Sequence, residues 1–179
     1  WSVPADISAS TREPDWGWYA TGPCHGIQLA DGRLVAPCDH STGAKNTELH
    51  AHVIYSDDGG ATWHLGGSLE AGTDESTVLE RVDGSLYLNM RSYLGLNRRA
   101  IATSRDRGMT WTPSAHDDAL IEPVCQGTVI RYSTEADGGR NRILFCNPAS
   151  TNRVNLTVRL SYDEGSTWPV SRMLWQGPS

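Results

Sequence analysis

Glu75 stands just before the apolar run of "DESTVLERVDGSLYLNMRSY", and Arg91 stands just after it. Asp83-Gly84 between them is a hairpin turn signal, so the run folds back on itself. Both side chains then arrive at the same end of one hairpin. Arg153, in "NPASTNRVNLTVRLS", occupies the corresponding loop of a later hairpin. One carboxylate and two guanidinium groups at one mouth can grip a small anion through charge-assisted, often bidentate hydrogen bonds. The same three residues would equally serve as a surface salt bridge and solvated loop charges.

The elements that must position them are repeated. "SDDGGATW" (56–63), "SRDRGMTW" (104–111) and "SYDEGSTW" (161–168) are three copies of one octapeptide. Their spacing suits propeller blades of about 40 to 50 residues with loop insertions. Between them the same grammar recurs: a run, an Asp-Gly turn, a second run, a loop and a third run leading into the octapeptide. The turns are Asp31-Gly32, Asp83-Gly84 and Asp137-Gly138. The third runs are "HAHVIYS", "RRAIATS" and "VNLTVRLS", and a short fourth run follows each Trp. This order predicts an all-β propeller with about three blades, at 24–70, 71–122 and 123–179. Residues 1–23 are expected to be a lead-in or edge segment. No run has a convincing helical period, although "AHDDALIE" (115–122) could hold one turn of helix.

Within the octapeptide, the Asp at the third position is expected to accept backbone N–H groups of the turn. The Gly at the fifth supplies positive φ, and the Trp packs back onto its blade. Three copies at equivalent positions imply three equivalent structural roles rather than a catalytic or calcium-binding Asp.

The chain has 179 residues, enough for one domain with a substantial core. Fifteen Lys and Arg against 21 Asp and Glu give a net charge of -6, which argues against a nucleic-acid partner. No run reaches the roughly 18 to 20 apolar residues of a membrane helix, and the start lacks the pattern of a signal peptide. Secretion or a periplasmic location fits the composition but is not fixed by it. Cys24, Cys38, Cys125 and Cys146 lack metal-ligand spacing and read as buried free thiols, with a Cys24–Cys38 bridge as the alternative. "NLT" at 155–157 is a glycosylation sequon inside a strand and reads as unused.

"WYATGPCHGIQLADGRLVAPC", "DESTVLERVDGSLYLNMRS", "CQGTVIRYS" and "NPASTNRVNLTVRLSYDEGSTWPVSRML" resemble the middle of an exo-α-sialidase catalytic domain, from Trp16 onward. The octapeptide matches the Asp-box, or bacterial neuraminidase repeat, of that family. The resemblance implies a six-bladed propeller with its site at the centre, no cofactor or metal, and a sialylated glycan as substrate. It implies that Glu75 is the base beside a nucleophilic Tyr, and that Arg91 and Arg153 bind the sugar's carboxylate. A neutral Tyr suits this reaction because the substrate's own charge would repel a carboxylate nucleophile. The family's first Arg, its acid/base Asp and its Tyr have no counterparts here; Asp6 and Asp15 sit in the wrong context. The chain is therefore expected to be about three central blades, with little activity alone and with open faces for missing blades or self-association. The competing reading is a non-catalytic Asp-box propeller that binds glycan or protein.

Other residues carry plainer expectations. Tyr93 and His25 read as structural, and Arg131 as an ion pair or surface residue. His50 and His52 share a strand face but lack a third metal ligand. Trp16 and Trp18 could line a sugar site or cap the edge.

Overall fold

Each run–turn–run unit of the sequence becomes one antiparallel sheet in the computed structural model, which describes residues 2–43, 45 and 47–178. The first sheet holds β1 (Tyr19–Thr21), β2 (Ile27–Gln28), β3 (Leu34–Thr42), β4 (Glu48–Ser56) and β5 (His64–Ser68). The second holds β6 (Thr73–Glu80), β7 (Leu86–Ser92), β8 (Arg98–Ser104) and β9 (Ala115–Ile121). The third holds β10 (Thr128–Ser133), β11 (Arg142–Pro148), β12 (Val154–Ser161) and β13 (Val170–Pro178). A single helical turn, α1 (Ser8–Thr11), precedes them. Leading strands of successive sheets lie against one another: Pro23 bridges Ser76, and Thr77 Oγ1 donates to the Val129 carbonyl at 3.3 Å. The sheets are three blades of a β-propeller. No helix among the described residues is long and apolar enough to cross a membrane.

Alternation along β7 explains how the blades stack. Leu86, Leu88 and Met90 face the first blade and join Val35, Val53, Leu69, Val78 and Ala102 in one core. Tyr87 points the other way, into a second core with Leu79, Leu120, Val129, Ile143 and Phe145. A strand covered on both faces reads as a continuous apolar run, as "SLYLNM" does.

The octapeptides form three matching turns. Asp58, Asp106 and Asp163 each accept the backbone N–H of the Thr four residues on, at 2.8 Å. Each Ser hydroxyl accepts the Gly N–H, at 2.8–2.9 Å. Those glycines have φ of 92°, 90° and 85°. Where two neighbouring blades are both in view, however, the Trp packs against the preceding blade rather than only its own. Trp111 joins the core between the first and second blades, and Trp168 Nε1 donates to Asp117 of β9 at 3.0 Å. Arginines of the preceding blade reinforce the join: Arg33 donates to the Arg107 carbonyl at 3.1 Å and Arg81 to the Glu164 carbonyl at 2.9 Å. The repeat is thus a latch between blades.

Gly67 in β5 shows how close that latch is. Its N–H donates to the Gly108 carbonyl at 2.8 Å, and an added Cβ would sit 2.6 Å from the Met109 carbonyl oxygen. Backbone on both sides leaves little room to yield. Gly67→Ala is therefore expected to lower stability by about 1–3 kcal/mol, read as a drop in thermal unfolding midpoint. An unchanged midpoint would contradict the latch.

One expectation is revised and two are sharpened. Residues 115–121 form β9 rather than a helical turn, because the segment completes an exposed blade edge whose Leu120 alone is fully buried. Tyr19–Thr21 pairs with β3 and so joins the first sheet. The four cysteines are free, without a Cys24–Cys38 bridge, and only Cys38 is fully buried.

Trp16 covers the outer face of the first blade, stacked 3.5 Å from His40. His40 Nδ1 and His52 Nδ1 lie 3.0 Å apart, so one carries a proton and the other accepts it. Burial, with a smaller repulsion from His50, lowers His40 to about 4; burial, then repulsion from His40 and His50, lowers His52 to about 3. Asp15 acts on His40 in the opposite sense. Both rings fold neutral, while in the unfolded chain they titrate near 6.5. Their contribution is full above pH 6.5 and is lost as pH falls towards 4. Asp39, raised to about 6 chiefly by burial, works oppositely and favours the fold as pH drops below 6. The unfolding midpoint is expected to fall on acidification below 6.5, with a shallower fall in His52→Gln; equal slopes would contradict this.

Candidate active site

The register of β6 on β7 builds the site. Thr73 pairs with Ser92 and Ser76 pairs with Met90, so β6 spends one more residue than β7 over this interval. In such a bulge two residues oppose one. Asp74 and Glu75 both face the single side chain of Arg91. Arg91 Nη1 donates to Glu75 Oε2 at 2.9 Å, and Arg91 Nε lies 3.9 Å from Asp74 Oδ1. Both atoms of the longer contact are buried without a hydrogen-bond partner. The Arg91 guanidinium stacks over the Tyr93 ring, 4.7 Å from its centroid.

These residues line a cleft of about 400 Å³ together with Trp18, Asp39 and the Thr21–Pro23 segment at the end of β1. Trp18 Nε1 donates to Asp39 Oδ2 at 2.8 Å. Burial raises the Asp74 carboxyl, against the pull of Arg91. Burial and the neighbouring Asp74 raise the Tyr93 hydroxyl too, keeping it protonated. Three carboxyl groups surround one guanidinium, so the cleft taken alone is poor in positive charge.

Arg153 lies at the same end, in the β11–β12 connection, but not in this cleft. Its guanidinium donates to the Val124 carbonyl at 3.3 Å, in the β9–β10 connection. The structure thus brings Glu75 and Arg91 together and places Arg153 one blade away. Sequence reading missed Asp74, Asp39 and the Tyr93 stack. The "DE" doublet was a visible signal for Asp74; Asp39, inside an apolar strand, was an unusual charge in an interior position. Arg131 pairs with Glu164 as expected. Among the described residues no group of three or more His, Cys, Asp or Glu could hold a metal ion. His50 instead bonds the Leu69 carbonyl and Thr42.

A larger cleft, about 650 Å³, lies at the opposite end of the same leading strands, lined by Ile27, Val78, Val82 and Ile130. Two of its charged groups are already engaged: Arg131 with Glu164, and Glu80 with the Ala30 amide at 2.8 Å. The smaller cleft gathers Asp39, Asp74, Glu75 and Arg91 in its lining.

Fold and site together define an Asp-box propeller domain with an acid–arginine cleft at one end of its blades. The BNR repeat-like domain model matches residues 1–179, and the chain belongs to that family. It is 36% identical to a sialidase of Bacteroides fragilis over 179 residues, covering 97% of this chain and 32% of that protein. It is 35% identical to a sialidase of Micromonospora viridifaciens, covering 98% of this chain and 28% of that protein. The structure of a Hadza microbial sialidase superposes with a TM-score of 0.91 at 38% identity, covering all of this chain and 35% of the other. The chain spans about a third of the length of these two curated relatives.

Proposed function

We propose that these blades are part of the catalytic domain of an exo-α-sialidase that hydrolyses terminal sialic acids with retention. The observation that carries this reading is the bulge that sets Glu75 against Arg91 in an open cleft, in a chain similar to sialidases along nearly its whole length. Arg91 and Arg153 would hold the substrate carboxylate, which demands guanidinium groups because the cleft's own carboxyls repel it. Glu75, held in place by Arg91 Nη1, would take the proton of a Tyr nucleophile whose ordinary pKa near 10 makes it inert unaided. That Tyr, the acid/base Asp and a further Arg are supplied from outside the matched motifs of this chain. The third blade leaves Ile130, Tyr132, Met173 and Trp175 exposed, which supports packing against further blades or a second copy.

Little or no turnover is expected of the 179 residues alone. In a sialidase that includes these blades, Glu75→Gln is expected to lower kcat by roughly 10²- to 10⁴-fold, with the unfolding midpoint preserved. Wild-type turnover of a fluorogenic sialoside by that variant would overturn the role of Glu75.

A further inference from the structure

Arg99 is the largest fully buried side chain of the molecule's described residues, and its charge is wholly internal. It sits in β8, one strand out from the cleft, and reaches back towards it. Its Nε donates to Asn89 Oδ1 at 2.6 Å and its Nη2 to the Asn89 carbonyl at 3.3 Å. Its Nη1 donates both to Glu122 Oε2, at 2.6 Å, and to the Cys125 carbonyl, at 2.7 Å. Glu122 is equally buried, and its other oxygen accepts the backbone N–H of Ser92 at 2.7 Å. Ser92 is the residue after Arg91. Asn97, in the β7–β8 loop, donates to the Glu122 carbonyl at 3.1 Å.

The connection 122–127 is therefore pinned to the second blade at Glu122 and Cys125. Between those pins lies Val124, at φ 53°. That left-handed conformation is costly for a β-branched residue and persists only where the surroundings over-determine it. Its carbonyl is the one that accepts from Arg153. One buried ion pair thus touches the strand end that carries Arg91 and the loop that receives Arg153.

We propose that Arg99 and Glu122 are a positioning pair that sets the spacing between Arg91 and Arg153 across the joint of the second and third blades. This rests on the reading of those two arginines as the carboxylate-binding groups. A stability role does not account for the pair, because apolar residues of similar volume in such places are often neutral or stabilising. What apolar residues cannot supply is simultaneous direction of the Ser92 amide, the Asn89 side chain and the Cys125 carbonyl.

The test uses the double variant Arg99→Met/Glu122→Leu in the 179-residue chain. Binding of N-acetylneuraminic acid and of its methyl ester is titrated, and the side-chain Nε–Hε NMR signals of Arg91 and Arg153 are followed. The expected result is an unfolding midpoint close to wild type, shifted signals for both arginines, and a preference for acid over ester reduced at least fivefold. A folded double variant with unchanged signals and preference overturns the proposal. If the double variant does not fold, Glu122→Gln keeps the shape of the site and is judged by the same two readouts. If the wild-type chain does not distinguish acid from ester, the sialidase reading of the arginines fails. The pair is then decided by the arginine signals alone: shifted supports it, unchanged overturns it.

Discussion

Arg91→Met is expected to weaken binding of N-acetylneuraminic acid by roughly 10- to 100-fold, the span expected for loss of a charge-assisted hydrogen-bond pair. The effect is large because Arg91 is the sole guanidinium among the residues lining a cleft that also contains Asp39, Asp74 and Glu75. Removing it subtracts an attraction for the ligand carboxylate and uncovers three repulsions. Glu75 would also lose its 2.9 Å partner. Binding of the neutral methyl ester should change far less, since the ester makes no charge pair to lose. A variant that weakens acid and ester equally would mean that Arg91 shapes the cleft without gripping the charge.

Arg99→Met alone is expected to destabilise the domain by about 3–5 kcal/mol, the usual cost of leaving one member of a buried ion pair without the other. Burial already pushes the Glu122 carboxyl up, and Arg99 opposes that most, with the Ser92 amide and Arg91 adding to it. Without Arg99 the carboxyl would be pushed further up. The sign follows: a native pKa raised above the unfolded value adds stability at low pH and loses it as pH rises. The deficit of the single variant relative to wild type should therefore shrink on acidification, where the acid costs little to bury. Denaturant unfolding at neutral and acidic pH measures this directly. A loss independent of pH, or no loss, would contradict the charge account of the pair.

What the sequence made legible is set by what is local. Asp58, Asp106 and Asp163 close turns within four residues, so the repeat announced both the turns and the blades. The Asp83-Gly84 hairpin placed Glu75 and Arg91 at one end, and their 2.9 Å contact follows from that geometry. Asp74 escaped because strict alternation sends neighbours to opposite faces; only the bulge against Ser92 and Met90 turns both carboxylates to Arg91. Trp18 was legible as a residue that could line a sugar site, but Asp39 escaped because it meets Trp18 only through the pairing of β1 with β3, 21 residues apart. Arg99 and Glu122 escaped for the same reason at the blade joint. The direction of Trp111 and Trp168 is likewise a property of neighbouring blades, not of the octapeptide itself.

The central claim is that the Glu75–Arg91 cleft recognises the carboxylate of a sialic acid. Its most direct measurement is an NMR titration of the isotopically labelled chain with N-acetylneuraminic acid, with the methyl ester as control. The account predicts saturable shifts at the Arg91 Nε–Hε signal and at Trp18 and Tyr93, weaker with the ester and lost in Arg91→Met. Equal responses to acid and ester, or shifts confined to Ile27, Val78 and Ile130 in the larger cleft, would contradict it.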